Sequence, residues 1–382
     1  MAKLDALNQA VLPRGVRARF VEGVNGLRVH VLEAGHEAPD RPMVLLLHGF
    51  PEIAYSWRKI IGPLAQAGYH VVAPDSRGYG RTTGAPTGYD VDLSMFGVLN
   101  LVRDAVALVS ALGHREVAMV AGHDYGAGVA SACALVRPDV FRSVALMSAP
   151  FPGPPAFPFG TACQAAPRPV ANDTEAALAA LKPPRKHYHW YYSTRAADDD
   201  MLDSPQGLHA FLRAYFHQKS ADWAGNAPHP LAEWSAEELA KLPTYYVMRR
   251  DETMAETVAH AMPSPDEVAA CRWLPDAELS VYAMEYARTG FQGGLNWYRS
   301  RTTGLLTREL ATYSGRTIDV PSCFFAGAKD WGTYQKAGDF EAMHSRACTD
   351  IRYCELIDGA GHWIQQEQPD ALLPCLLTFL GR

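Results

Sequence analysis

Val117-Ala118-Met119-Val120-Ala121-Gly122-His123-Asp124-Tyr125-Gly126-Ala127-Gly128-Val129-Ala130 organises the rest of the chain. Five apolar residues run to Gly122, and small residues resume after Gly126. A short apolar run ended by glycine predicts a parallel strand buried on both faces. The small-residue run 127–135 predicts a helix packed close against it. The turn between them has the form Gly-x-Asp-x-Gly. Its central residue sits in a strained conformation, and side chains at Gly122 or Gly126 would collide with it. Alone, the pentapeptide fits two structures. One is a turn with an acidic helix cap. The other is a strand-to-helix elbow presenting a nucleophile, with Asp124 where serine usually stands.

The 382 residues exceed the usual size of one domain, so one large α/β domain with an inserted subdomain fits the length. Apolar residues make up 48%, ample for a core, and the net charge of −6 argues against nucleic acid as a partner. Residues 1–15 show no basic-then-apolar leader pattern, and no apolar run approaches a membrane span. Seven irregularly spaced cysteines without a Cys-x-x-Cys pair predict free thiols in a reducing cytoplasm.

Alternating residues at 16–21 and 27–31 flank a glycine-rich turn and predict an antiparallel hairpin. Buried parallel strands are expected at 43–47, 70–74 and 143–147, with helices over 57–67 and 93–112. Strands alternating with helices imply a mostly parallel sheet with helices on both faces. The pattern changes at Ser148-Ala149-Pro150, where proline and alanine become dense. Helices are expected at 207–219, 235–242, 251–262 and 276–288, with a Ser-x-x-Glu capping-box pattern at Ser235. The sheet resumes at 322–325 and 353–357, covered by a last helix over 369–380. The chain thus divides into a core, 1–150 and 313–382, and an inserted helical cap, 151–312.

Ligands of an open α/β sheet bind at the carboxyl ends of its strands. The loop 48–52, Asp124, Asp330 and His362 all fall there. Nucleophile, acid and histidine follow in the chain order used by elbow-type hydrolases, which favours the nucleophile over the cap. A carboxylate is ionised at neutral pH and needs no base to attack a carbon bearing a leaving group or strained ring. The product is an ester of the Asp124 side chain. His362, oriented by Asp330, could then activate water against that ester. The backbone N–H groups of Phe50 and Tyr125 are placed to hold the developing oxyanion.

His48-Gly49-Phe50-Pro51-Glu52, Asp75-Ser76-Arg77-Gly78-Tyr79-Gly80, Gly122-His123-Asp124-Tyr125-Gly126 and Gly361-His362-Trp363 together resemble the α/β-hydrolase-fold epoxide hydrolases. The cap segment Gly290-Phe291-Gln292-Gly293-Gly294-Leu295-Asn296-Trp297-Tyr298-Arg299 is similar to the family's Gly-Phe-Arg-Gly-x-Leu-Asn-Trp-Tyr-Arg. The resemblance implies that Tyr298 is one of two cap tyrosines holding the epoxide oxygen. Tyr188, which opens Tyr188-His189-Trp190-Tyr191-Tyr192, would be the second, with Tyr191 as the alternative. A phenol of pKa about 10 can hydrogen-bond the opening oxygen and then give up its proton to the alkoxide. Trp57, Trp190, Tyr191, Trp331 and Trp363 are the candidate substrate-binding side chains. The resemblance also implies a cis peptide at Phe50-Pro51, although an X-Pro bond taken alone is usually trans.

Two rivals stay open at the level of sequence. A haloalkane dehalogenase shares the fold and the aspartate, but usually has a tryptophan after the nucleophile or an asparagine in the early loop. Tyr125 and Phe50-Pro51 stand at those positions. Fluoroacetate dehalogenases carry arginines just after the nucleophile, and Tyr125-Gly126-Ala127-Gly128 has none. The other rival is a silent hydrolase-fold ligand sensor. The expectation is therefore a cytoplasmic enzyme acting on a small hydrophobic epoxide with water, without metal, cofactor, nucleic acid or membrane span, and with a homodimer left open. The stretch 198–272 departs from the parts of the family that align.

Overall fold

The computed structural model describes residues 4–156 and 174–381. Ten strands are formed by Arg17–Val24 (β1), Leu27–Ala34 (β2), Met43–Leu47 (β3), His70–Pro74 (β4), Met119–His123 (β5), Val144–Met147 (β6), Arg185–His187 (β7), Val247–Arg249 (β8), Ser322–Gly327 (β9) and Ile351–Ile357 (β10). Eight of them make one sheet in the order β1-β2-β4-β3-β5-β6-β9-β10. The pairs β1–β2 and β2–β4 are antiparallel, and every later pair is parallel. Every residue of β3, β4, β5 and β6 is buried, as strands covered by helices on both faces require. Asp124, Asp330 and His362 stand just beyond the carboxyl ends of β5, β9 and β10.

The chain leaves this sheet after β6 and rejoins it at β9. Between them, β7 and β8 form a separate antiparallel pair among helices that include Tyr188–Tyr192, Leu208–Lys219, Asp276–Thr289 and Gln292–Thr302. The β7–β8 pair, three residues a side, is too short to leave a periodic signal in the sequence. The proline-rich entry to the cap falls partly on 157–173, outside the described residues.

Several expected helices are shorter or interrupted. The predicted helix over 93–112 is a 3-10 turn, Leu93–Phe96, then a helix, Val98–Ala111. The break at Gly97 has a tertiary cause: Glu309 reaches in from the cap to accept the Leu99 N–H, and a Cβ on Gly97 would lie 2.2 Å from its carboxylate. The segment expected at 235–242 is helical only over Ala236–Leu239, where Ser235 caps Glu238 N. The Glu238 carboxylate turns to Ala232 N instead of closing the box. The helix expected at 251–262 is Met254–Ala259, started by a complete capping box between Thr253 and Glu256. Among the described residues no helix is long and apolar enough to cross a membrane. The six described cysteines are free.

Candidate active site

The elbow is held in place by backbone crowding. Asp124 has φ 53° and ψ −119°, outside the ordinary regions for a residue with a side chain. A Cβ on Gly122 would lie 2.1 Å from Gly126 O, and one on Gly126 would lie 2.4 Å from Leu47 O. Only glycine lets the strand end, the turn and the β3 loop approach this closely. The result lifts the Asp124 carboxylate above the sheet. Its Oδ1 accepts the Phe50 N–H at 3.1 Å, and the Phe50–Pro51 peptide is cis. Tyr125 is the first residue of the following helix, Tyr125–Val136, so its N–H is one of the donors a helix start leaves without an intrahelical acceptor. Burial works against the charge on Asp124. The adjacent His362, with Lys219 and His123 further off, outweighs it and holds the carboxyl well below the usual range.

His362 lies between two carboxylates. Its Nδ1 is 3.0 Å from Asp330 Oδ1 and 2.9 Å from Ser148 Oγ. Its Nε2 is 3.4 Å from Asp124 Oδ2, close but beyond a good hydrogen bond. Asp330 is held ionised against its burial by His362, Ser148 and the Gly332 N–H. An ionised Asp330 accepts from Nδ1 and aims Nε2 at Asp124. Ser148, at φ 70°, is a site residue that sequence reasoning passed over. Its place at the end of β6, between β5 and β9, was a usable signal.

Behind the nucleophile is a second buried pair. His123 Nδ1 lies 2.6 Å from Glu52 Oε2, and its Nε2 lies 2.6 Å from the carbonyl of His362. A carbonyl can only accept, so Nε2 carries a proton. Glu52 lies below its usual range, with His123 overcoming its burial, so its carboxylate accepts from Nδ1. Both ring nitrogens therefore donate, and His123 is the cation of a fully buried ion pair. Glu52 also receives Gln365 and Gln366 through its other oxygen.

A cavity of about 410 Å³ opens in front of Asp124. Asp124, Tyr188 and Tyr298 all line it. The two tyrosine rings meet edge to face at 5.9 Å. The Tyr188 hydroxyl donates to Gln335 Oε1 at 3.3 Å. Burial, then the charge of Asp124, pushes both phenols well above their ordinary value, so both hydroxyls keep their protons. Tyr191, the alternative to Tyr188, instead donates to Asp200 and does not line the cavity.

Trp57, Trp190, Tyr191, Trp331 and Trp363 are also absent from the described lining. Trp363 sits against Phe216 at 4.5 Å and donates to its carbonyl. Trp331 meets His229, Trp190 lies beside His187, and Trp57 is fully enclosed at the start of the first core helix. The lining includes the apolar Val98, Phe151, Leu306 and Leu310, and polar groups among which are Arg301, Gln335, Lys336, Asp339 and Arg346. Arg301 could have been found from the sequence, because it follows Tyr298 by three residues and shares its helix face. Among the described residues no cluster could hold a metal ion.

The family model for the alpha/beta hydrolase fold matches residues 42–229. Epoxide hydrolase A of Mycobacterium tuberculosis is 33% identical over 357 residues, covering 93% of this chain and 95% of its own. The chain belongs to the epoxide hydrolase family. Epoxide hydrolase 3 of Siraitia grosvenorii is 29% identical, over 94% of this chain and 96% of its own. Among solved structures of the family, an epoxide hydrolase from an endophytic Streptomyces superposes with a TM-score of 0.76 at 29% identity, covering 97% of this chain and 96% of its own. Potato (Solanum tuberosum) epoxide hydrolase I superposes with a TM-score of 0.71 at 29% identity, covering 96% and 99%.

Proposed function

We propose that this member of the family hydrolyses a small hydrophobic epoxide to a vicinal diol in two steps, through an ester of Asp124. The observation that carries the proposal is one cavity bounded by an ionised carboxylate on the core side and two protonated phenols on the cap side. In the first step Asp124 Oδ2 forms a bond to an epoxide carbon as that carbon's bond to oxygen breaks. Tyr188 or Tyr298 gives its proton to the departing oxygen. Oδ1, already on the Phe50 N–H, becomes the ester carbonyl oxygen.

In the second step His362 Nε2 takes a proton from water as the water oxygen adds to Cγ of Asp124. The negative charge gathers on Oδ1, which the Phe50 N–H already meets, with the Tyr125 N–H at the helix start as the second donor of the proposal. Collapse breaks the bond from Cγ to the alkyl oxygen. The two protons of water finally restore the tyrosine and complete the second hydroxyl. The apolar walls Val98, Phe151, Leu306 and Leu310 support a hydrophobic substrate. The Tyr125 hydroxyl is committed to Trp297 O at 2.7 Å and offers a halide nothing, which disfavours the dehalogenase reading. We assign 1–150 and 313–382 to the core and 151–312 to the cap, and the free thiols support a cytoplasmic setting.

The deciding test is a single turnover of styrene oxide in heavy-oxygen water, with proteolysis and mass spectrometry of the peptide around Asp124. Label should enter Asp124. Label confined to the diol would rule out the ester.

A further inference from the structure

Lys219 is the last residue of the helix Leu208–Lys219 and is 3% exposed. Its backbone carbonyl accepts the His362 N–H at 2.8 Å, so it is built into the support of the catalytic histidine. Its ammonium lies within an aromatic cage. The Nζ is 5.1 Å from the ring of Tyr246, 5.3 Å from Trp363, 5.5 Å from Tyr215 and 5.9 Å from Tyr245. Four ring faces at that range favour a cation. Among the described residues the ammonium has no hydrogen-bond acceptor and no carboxylate within ion-pair distance. The cage is sealed against the catalytic loop: Trp363 follows His362, and their rings are 4.6 Å apart. A buried cation held this way is costly, and the two steps above give it no covalent part.

Its use follows from the charges around His362. The groups facing that ring are Asp330 and Ser148 at Nδ1, Asp124 at Nε2, and His123 packed at 4.8 Å with Glu52 behind it. Glu367 lies behind the same loop, where the N–H groups of Ala221, Gly361 and Trp363 point at its carboxylate. Tyr215, Tyr245 and Tyr246 are neutral phenols. In the resting site Asp124, Asp330 and Glu52 are balanced in part by His123 and Lys219. Esterification removes the Asp124 charge. The remaining carboxylates nearest the ring, Asp330 and Glu52, are then matched by His123 and Lys219, while burial raises Glu367 to about 7, so these nearest groups add no net negative charge to hold a proton on His362. Without Lys219 the esterified site keeps a net negative charge beside His362, which would hold a proton and could not accept one from water.

We propose that Lys219 is a positioning residue for the second step, its caged charge keeping His362 unprotonated once Asp124 has been esterified. The inference rests on the two-step reading above. The test compares Lys219→Met with the unaltered enzyme by rapid-quench kinetics on styrene oxide from pH 5 to 9, with the ester followed by intact-protein mass spectrometry. Ester formation should stay within about threefold, since the carboxylate nucleophile is intact. Ester hydrolysis should fall about tenfold at pH 7, its acid limb should move up by about one pH unit, and the ester should accumulate. A shift of that size is what one buried charge a ring or two away produces.

Lys219→Arg, which keeps the charge, should return the acid limb toward its original position. If Lys219→Met loses its cooperative melting transition, Lys219→Gln is measured the same way. A folded neutral variant that slows both steps equally with an unmoved acid limb makes Lys219 structural only, and overturns the proposal. The unaltered enzyme separates the two readings: if it forms the ester and only the limb fails to move, the role of Lys219 falls alone. If it forms no ester, the two-step scheme falls and the proposal with it.

Discussion

His187 shows how one side chain can join stability to the site. Its Nδ1 accepts the His189 N–H and caps the helix Tyr188–Tyr192, which presents Tyr188 to the cavity. An accepting nitrogen requires the neutral ring, and burial drives the pKa of His187 down to about 3. His189 is lowered in the same direction, also first by burial. The unfolded chain takes up these protons at the ordinary value of about 6.5, well before the folded one. The stability from the neutral rings is therefore complete above about pH 6.5 and is lost as the pH falls toward 3. His187 alone should cost about 2 kcal/mol at pH 5. His187→Asn keeps a capping acceptor without the titration. The melting temperature of this variant should fall less between pH 7 and 5 than that of the unaltered protein. Parallel curves would mean that His187 does not titrate over this range. Such a site was not legible in the sequence, where His187 is one of 14 histidines. Only burial between Tyr188, Trp190 and Trp234 distinguishes it.

The helix Gln292–Thr302 carries a weak helical signal in the sequence, because Gly290, Gly293 and Gly294 make its start resemble a loop. The glycines serve contact. A Cβ on Gly293 would lie 2.0 Å from Gly78 O, and one on Gly294 would lie 2.8 Å from the Tyr79 ring. The helix start therefore rests directly on the core loop after β4, backbone against backbone. Two further bonds fix its rotation: Trp297 Nε1 donates to Arg77 O at 2.9 Å, and Tyr125 donates to Trp297 O. That rotation points Tyr298 at Asp124. Gly293→Ala should push the helix off the core and lower kcat/KM for styrene oxide at least tenfold, with the circular dichroism spectrum preserved. Activity within twofold would show that Gly293 does not set the position of Tyr298. The magnitude follows from the steep dependence of catalysis on sub-ångström placement.

Cap and core are also clamped at a distance from the cavity. Arg58, 2% exposed on the first core helix, pairs with Glu278 of the cap and donates to Gln366 Oε1 at 2.8 Å and Trp273 O at 3.3 Å. Arg81 pairs with Glu285 at 2.5 Å. Removing Arg58 leaves buried Gln366 without its donor and the partly exposed Glu278 without its partner, so Arg58→Met should cost about 1–3 kcal/mol in urea unfolding. An unchanged midpoint would assign the cap's attachment to apolar packing. The sequence by itself determined where the sheet strands fall along the chain, the elbow at Asp124, and the places of Asp330 and His362 on later strand ends. Each is written in a local apolar run, a glycine or a chain order, and local patterns survive without knowledge of the partners. The tertiary structure alone decided that Tyr188 and not Tyr191 faces the cavity, that five expected aromatic side chains do not line it, that Ser148 shares the histidine, and that Lys219 is caged beside it. Ser148 reaches the histidine through the pairing of β6 with β5 and β9, whereas the cap residues Tyr188, Tyr191 and Lys219 depend on how the cap rotates onto the core. That rotation is set by long-range contacts such as Gly78 with Gly293 and Arg58 with Glu278, whose partners lie 215 and 220 residues apart in the chain.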